Sequence, residues 1–260
     1  MVSGGASDGG GAGAGEFSVT VLGCSGSYPG AGAPSTGYLV RHGATAVWLD
    51  AGAGTFAELQ RHVEVADLTA VVLTHAHVDH WADLAQLRTV LRYFRPDLAG
   101  LAVYGTAATH DLAAHLVGGT LDDAFAWTTI TADSAVVTGS LRWSFSLTDH
   151  PVETLAVRAD TPDDRSFGFS ADTGPGWSPV GLGPGLDLFL CEASLDDADA
   201  DIVAHLTGRQ AGAGARAAGV GRLVITHVLP GLDGEVHRGD AEHAFGAPVA
   251  LAAPGATYPI

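Results

Sequence analysis

Residues 71–84 read VVLTHAHVDHWADL, which places His75, His77, Asp79 and His80 within six positions directly after an apolar run. A neutral imidazole offers one in-plane lone pair that suits zinc, iron or manganese, and a carboxylate adds the negative charge that holds a second cation. Residues two apart on an extended strand face the same way. If the extended geometry continues past residue 74, His75 and His77 converge on one point. Asp79 and His80 then fall in the turn that opens the next helix and address a second point close by. A lone histidine among apolar residues is usually a packing residue. Four ligand-type residues in His-x-His-x-Asp-His order call for a different explanation.

One such stretch cannot complete two metal shells. Three further candidates stand at the ends of expected strands: His150 after LRWSFSLTD, Asp172 after RSFGFSA, and His227 after RLVIT. An Asp before Thr-Gly is more often a turn former than a ligand, and a lone His after a strand is more often a loop residue. What sets the three apart is their shared placement, because α/β sites gather at one edge of their sheets. His42, His62, His110, His115, His237 and His243 show no such pattern, and surface or packing roles are expected for them.

These residues need elements to carry them. FSVTVLG (17–23) alternates as a strand, YLVRH and TAVWLD form a hairpin around Gly43, and TFAELQRHV is a short helix. LTAVVLT (68–74) is a continuous apolar strand of the kind buried on both faces. From Trp81 the period changes: Trp81, Leu84, Leu87, Leu91 and Phe94 recur at helical spacing. LAVYG is a strand and TAATHDLAAHLV a helix. Strands follow near 141–147, 154–159, 165–170 and 186–192. A helix over about 207–218 starts on the capping box Thr207-x-x-Gln210 and ends near Gly219, and RLVITH (222–227) closes as VVLTH does. LDDADAD (195–201) and DTPDD (160–164) read as solvated acidic loops. Helices and strands alternate without a clean boundary, so 16–260 is expected to be one α/β domain of two sheets with helices outside.

The chain has 260 residues, a hydrophobic content of 47%, and a formal net charge of −17 in which all 12 basic residues are arginine. That balance opposes non-specific binding to nucleic acid or anionic membrane. It is compatible with a small anionic substrate, since bound cations invert a local field. Residues 1–15 form a Gly/Ala-rich tail, expected to be disordered, without the basic and apolar regions of a signal peptide. No apolar run is long enough to span a membrane. Cys24 and Cys191 sit in strand-like apolar contexts and are expected as buried free thiols, which fits a reducing cytoplasm. A homodimer is compatible with all of this.

The His75, His77, Asp79, His80 stretch with its later His, Asp and His resembles the metallo-β-lactamase superfamily, from about residue 17 onward. The resemblance implies an αββα sandwich, two mixed β-sheets with helices on the outer faces and metals at one edge. It further implies that His75, His77 and His150 hold a first divalent transition-metal ion, that Asp79, His80 and His227 hold a second, and that Asp172 bridges. Zinc is the ion expected, with manganese and iron as alternatives. Asp50, in VWLDAGAG, is similar to the family's Asp after the second hairpin strand. CEAS (191–194) and AHLTG (204–208) resemble motifs of ribonuclease Z-like phosphodiesterases, in which the residues matching Glu192 and His205 form a proton-handling pair. LGCSGSYPG and SFGFSADTG are similar to a bacterial branch that includes 3′,5′-cyclic-nucleotide phosphodiesterases.

The implied function is hydrolysis of a small phosphodiester by a metal-bridging hydroxide that Asp79 orients, with His205 as proton donor. Asp50 and Thr226 are candidates for fixing imidazole orientation. Ser25, Gly26 and Ser27 either present backbone N–H groups to substrate or form only a tight turn. The alternatives are a ribonuclease Z-type tRNA 3′-end endonuclease, a thioester or lactone hydrolase on the same scaffold, and a non-catalytic binding module. A lysine-rich arm of the kind that grips tRNA is missing, and the chain has no lysine, so a large RNA is the less expected partner.

Overall fold

The first half of the chain alternates short apolar strands with helices. Strands β1 (Phe17–Gly23), β2 (Gly37–His42) and β3 (Thr45–Ala51) form a meander, followed by helix α1 (Thr55–Leu59) and strand β4 (Ala70–Val72). Helix α2 (Leu84–Thr89), strand β5 (Leu101–Gly105), helix α3 (Ala107–Leu116) and strand β6 (Phe125–Thr129) complete that half. The second half runs β7 (Ala135–Thr138), β8 (Leu141–Leu147), β9 (Leu155–Asp160), β10 (Ser166–Phe169), β11 (Leu188–Glu192), α4 (Gly208–Ala217), β12 (Arg222–Thr226), α5 (Gly234–Phe245), β13 (Val249–Leu251) and β14 (Thr257–Pro259). The structure is a computed structural model, and it describes residues 15–200 and 204–260. All but the last residue of the expected 1–15 tail, and Asp201 of the acidic 195–201 segment, lie outside the described residues.

The strands make two seven-stranded sheets, in the orders β14-β1-β2-β3-β4-β5-β6 and β13-β12-β11-β10-β9-β8-β7. Both are mixed: β3 through β6 are parallel, as are β10 through β13, while the hairpin pairs are antiparallel. Alternation along each strand divides its side chains between two layers. Val47 and Leu49 of β3 face the other sheet and share one buried core with its Trp143, Val157 and Leu190. Trp48, between them, faces outward against Phe56 of α1. In the second sheet Val224 points inward, and Leu223 and Ile225 point outward toward α4 and α5. The result is the expected four-layer αββα sandwich.

Several expectations need correction. Trp81, Leu84, Leu87 and Leu91 are buried as the spacing implied, but Phe94 is 73% exposed. After α2 the chain widens into a π-helical turn over Val90–Phe94, which rotates Phe94 off the buried face. Trp81 precedes the helix, and its indole Nε1 donates to Ala76 O at 2.9 Å. Strand β4 is shorter than 68–74, because the chain leaves the sheet before His75. Cys191 is buried but Cys24 is half-buried, and both are free. Strands β6, β7, β13 and β14 and helix α5 had no periodic signal. Helix α5 buries only His237, Ala241 and Phe245, too few apolar positions to stand out. Among the described residues, no helix is long and apolar enough to cross a membrane.

Helix α4 begins as its capping box requires, with Thr207 Oγ1 accepting from Gln210 N and Gln210 Oε1 accepting from Thr207 N. It packs on α5 through Gly212, where a Cβ would lie 2.2 Å from Ala241 O. At Gly214 of the same helix the nearest atoms to a Cβ belong to Pro179, at 3.5 Å. Gly212→Ala should therefore destabilise by about 1–3 kcal/mol through overpacking, against alanine's better helix propensity. Gly214→Ala should stabilise by about 0.5–1 kcal/mol. Thermal melts of the two variants check both signs.

Candidate metal centre

The site lies where the parallel strands end. Asp50 is at the end of β3, His75 follows β4, His150 follows β8, Asp172 follows β10, Glu192 ends β11, and His227 follows β12. Strands running the same way deliver their C-terminal residues to one edge, so residues far apart in sequence meet there. The turn Val78–His80 is a short 3-10 helix. It packs tightly on the end of β3: a Cβ at Gly52 would lie 2.0 Å from Asp79 O. Three non-glycine residues at this edge have left-handed backbone, Asp50 (φ 55°), Ala171 (φ 50°) and His227 (φ 58°). Such conformations cost on the order of 1–3 kcal/mol each and persist where surrounding contacts over-determine them.

Two sets of ligand atoms result. His75, His77, His150 and Asp172 bring one donor atom each within 4.8 Å of one another, as do Asp79, His80 and His227. Asp172 stands between the sets. Its Oδ2 is 3.5 Å from His75 Nε2 and its Oδ1 is 3.2 Å from His80 Nε2 and 3.4 Å from His227 Nε2. Asp79 Oδ2 is 3.3 Å from His227 Nε2 and 3.5 Å from His80 Nε2. The structure thus brings together all seven residues expected as ligands.

The donor set fits cations. His75 Nε2 and Asp172 Oδ1 are buried with no hydrogen-bond partner among the described residues. Like ring nitrogens face each other, His77 Nδ1 at 3.1 Å from His150 Nε2 and His80 Nε2 at 3.2 Å from His227 Nε2. Lone pairs aimed at one space repel unless a proton or a cation lies among them. Burial, with His80 nearby, pushes His75 down to about 3, and burial lowers His77 and His150 as well. Those three rings are neutral at neutral pH, the form that ligates. Burial works against the charge on Asp172, but His227, His80 and His75 outweigh it and hold the carboxylate well below its usual range. Burial also works against a charge on His80, but Asp172 and Asp50 outweigh it and hold that ring well above its usual range, so a bound cation would take the place of its proton. Imidazoles with ionised carboxylates are a transition-metal donor set.

Four of the five ligand rings are pinned by their other nitrogen. His75 Nδ1 meets Thr74 Oγ1 at 3.0 Å, His80 Nδ1 meets Asp50 Oδ2 at 2.7 Å, His150 Nδ1 meets Ala204 O at 2.9 Å, and His227 Nδ1 meets Ser194 Oγ at 2.9 Å. Such contacts set the tautomer and aim the remaining lone pair. Asp50 is fully buried and also accepts from Thr74 N at 2.8 Å and Thr74 Oγ1 at 2.9 Å. Thr226, expected in a supporting role, instead bonds Tyr38 OH at 2.6 Å, and among the described residues its hydroxyl makes no hydrogen bond to a ligand ring. Its side chain points between the sheets, while Thr74 and Ser194 do the work expected of it. Thr74 stands just before the His75–His80 stretch and Ser194 ends CEAS, but nothing in spacing alone says which way a hydroxyl points.

Beside the ligands, His205 Nδ1 donates to Glu192 Oε1 at 2.9 Å. Burial disfavours the charged ring, but the bond to Glu192 and its charge prevail and push His205 up to about 9. His205, Asp172 and His227 offer atoms within 4.8 Å of one another, so His205 borders the space that the ligands enclose. The Ser25–Ser27 loop does not offer all its N–H groups: Ser25 N donates to Pro34 O at 3.1 Å and Gly26 N to Val228 O at 3.0 Å. Only the exposed Ser27, with φ 59°, keeps the tight-turn geometry at the rim.

The backing of His80 by Asp50 can be tested directly. Asp50→Asn preserves the shape and tolerates the left-handed backbone, but removes the charge. Zinc affinity, read by competition with a chromophoric chelator, should fall roughly 10–100-fold, with unchanged circular dichroism. Wild-type affinity would refute the assignment.

A family model described as a beta-lactamase superfamily domain matches residues 45–228. The chain is 37% identical over 246 residues to the uncharacterized protein Rv1339 of Mycobacterium tuberculosis, covering 89% of this chain and 88% of that one. It is 30% identical over 214 residues to the probable metallo-hydrolase YhfI of Bacillus subtilis, covering 81% and 86%. The crystal structure of YhfI superposes with a TM-score of 0.85 at 26% identity, over 94% of this chain and 100% of that one. A ribonuclease Z of Mycobacterium bovis is 30% identical over 246 residues, covering 82% and 86%. With the ligand cluster, the sandwich and these relatives in agreement, the chain belongs to the metallo-β-lactamase superfamily and is a metallo-hydrolase of that superfamily.

Proposed function

We propose that the protein is a phosphodiesterase that hydrolyses a small phosphodiester such as a 3′,5′-cyclic nucleotide, using two divalent transition-metal ions, zinc best suited and manganese or iron acceptable. The observation that carries this reading is the Glu192–His205 pair at 2.9 Å, beside the ligand cluster. An alkoxide is a poor leaving group and needs a proton. His205 has its Nδ1–H committed to Glu192, so its Nε2–H is the proton available to substrate.

His75, His77 and His150 would hold the first ion and Asp79, His80 and His227 the second, with Asp172 offering an oxygen to each set. Ions bound there would supply a nucleophile at neutral pH and neutralise the phosphate charge. Asp79 orients the attacking water. The P–O bond to the leaving oxygen breaks as the new one forms, and the Nε2 proton of His205 goes to the departing alkoxide. Glu192 keeps the ring oriented and charged for that transfer.

A ribonuclease Z-type reading draws support from the relative of that name. Charge favours the smaller substrate: the net charge is −17, and several exposed arginines are locally offset. Arg92 shares Asp123 with Arg88, Arg95 holds Asp97, and Arg209 faces Asp197 and Asp240. A panel of cyclic AMP, cyclic GMP, bis(p-nitrophenyl) phosphate, precursor tRNA, a thioester and a lactone separates the readings. Cyclic nucleotides should be turned over best, and turnover confined to tRNA or to the carbonyl substrates would overturn the proposal.

Two further outcomes are expected. Elemental analysis after reconstitution should find about two metal ions per chain, the stoichiometry of a two-metal site, and Asp79→Ala should abolish turnover. His205→Ala should cut kcat by roughly 10²–10⁴ for alkoxide leaving groups, with a smaller loss for p-nitrophenolate and no loss of metal. The ring donates only while protonated, so wild-type kcat on alkoxide substrates should fall on the alkaline side as His205, raised by its bond to Glu192, loses its proton. The charge of bound cations moves that limb to lower pH.

A further inference from the structure

Glu192 is fully buried and meets four donors. Thr173 N lies 2.6 Å and His205 Nδ1 2.9 Å from Oε1, while Ser194 Oγ lies 2.7 Å and Leu206 N 3.3 Å from Oε2. Ser194, also fully buried, has one proton and three neighbours: the Glu192 carboxylate, His227 O at 2.9 Å and His227 Nδ1 at 2.9 Å. The carboxylate is the stronger acceptor and the nearer one, so the hydroxyl donates to Glu192. Its oxygen is then the acceptor for the Nδ1–H of His227. That fixes the tautomer of His227 and leaves the Nε2 lone pair facing Asp79, His80 and Asp172. A continuous chain of bonds runs from His227 through Ser194 and Glu192 to His205.

We infer that Ser194 is a positioning residue that ties the metal ligand His227 to the Glu192–His205 pair, so that one buried carboxylate serves both cation binding and proton donation. The two supports of the second ligand set differ in this respect. His80 is backed directly by Asp50, whose other bonds go only to Thr74. His227 is backed through a hydroxyl by a carboxylate that also holds His205, and that also fixes the peptide following the bridging Asp172 through Thr173 N. Displacing Ser194 therefore disturbs the metal side and the proton-donor side together, although its hydroxyl bonds only to Glu192 and His227 among the described residues. The inference rests on the phosphodiesterase reading only for its second half.

The test compares Ser194→Ala, Ser194→Thr and Ser194→Cys by zinc competition with a chromophoric chelator and by kcat on substrates with alkoxide and p-nitrophenolate leaving groups. Ser194→Ala should lower zinc affinity roughly 10–100-fold, the usual effect of losing such a partner. It should also reduce kcat more for alkoxide than for p-nitrophenolate substrates. Ser194→Thr, which retains the hydroxyl, should restore both. Should the alanine variant fail to fold, Ser194→Cys keeps the volume with a weak donor, and its zinc affinity should fall between those of Ser194→Thr and the apo-like limit. Unchanged zinc affinity in folded Ser194→Ala or Ser194→Cys overturns the inference, as does failure of Ser194→Thr to restore it. Loss of zinc affinity in a protein whose wild type ignores cyclic nucleotides would sustain the link and overturn the phosphodiesterase reading instead.

Discussion

Asp50 and Glu192 are both fully buried, and the metal centre depends on them. A buried carboxylate is tolerated only when its lone pairs are met by donors. Asp50 is met by the Thr74 amide and hydroxyl and by His80. Glu192 is met by two amides, the Ser194 hydroxyl and His205. Each carboxylate therefore orders a piece of backbone and a ring at the same time. Because the donors come from different strand ends, satisfying the charge also fixes how those ends meet.

The same edge concentrates charge of one sign. Asp79 and Asp172 join the two supporting carboxylates, and neither lysine nor arginine belongs to the ligand sets. In a chain of net charge −17, an anion could approach only if cations invert that field. The site is thus organised first to hold cations, and an anionic substrate of the kind proposed would be held through them. His205, which its bond to Glu192 keeps positive, borders the same space.

Folding delivers most of this arrangement through sheet direction, while the Val78–His80 turn and the segment before α4 add Asp79, His80 and His205. Within each sheet the strands that carry the site run parallel, and side chains alternate between the inter-sheet core and the helical layers. That leaves the strand ends free for polar residues without weakening the core. The left-handed backbone at Asp50, Ala171 and His227 shows where this scaffold stores strain in order to aim particular groups.

Much of this was legible in the residues themselves. The His75–His80 stretch, the strand-end positions of His150, Asp172 and His227, and the Thr207 capping box announce themselves through type, spacing and local hydrogen-bonding rules that need no partner. Periodicity marked Leu84, Leu87 and Leu91 as core but misplaced Phe94, because a π turn leaves no sign in an apolar pattern. Helix α5 and the edge strands were hidden because their burial comes from contacts distant in sequence. Thr226 and Thr74 have the same chemistry and both lie beside a ligand, and only the packing of two sheets turned one toward Tyr38 and the other toward His75. The amino-acid sequence by itself determined which donors exist and roughly which strand carries each. The tertiary structure alone decided which hydroxyls and carboxylates back which rings, because a hydrogen bond is set by direction and distance, and those exist only once the strand ends have met.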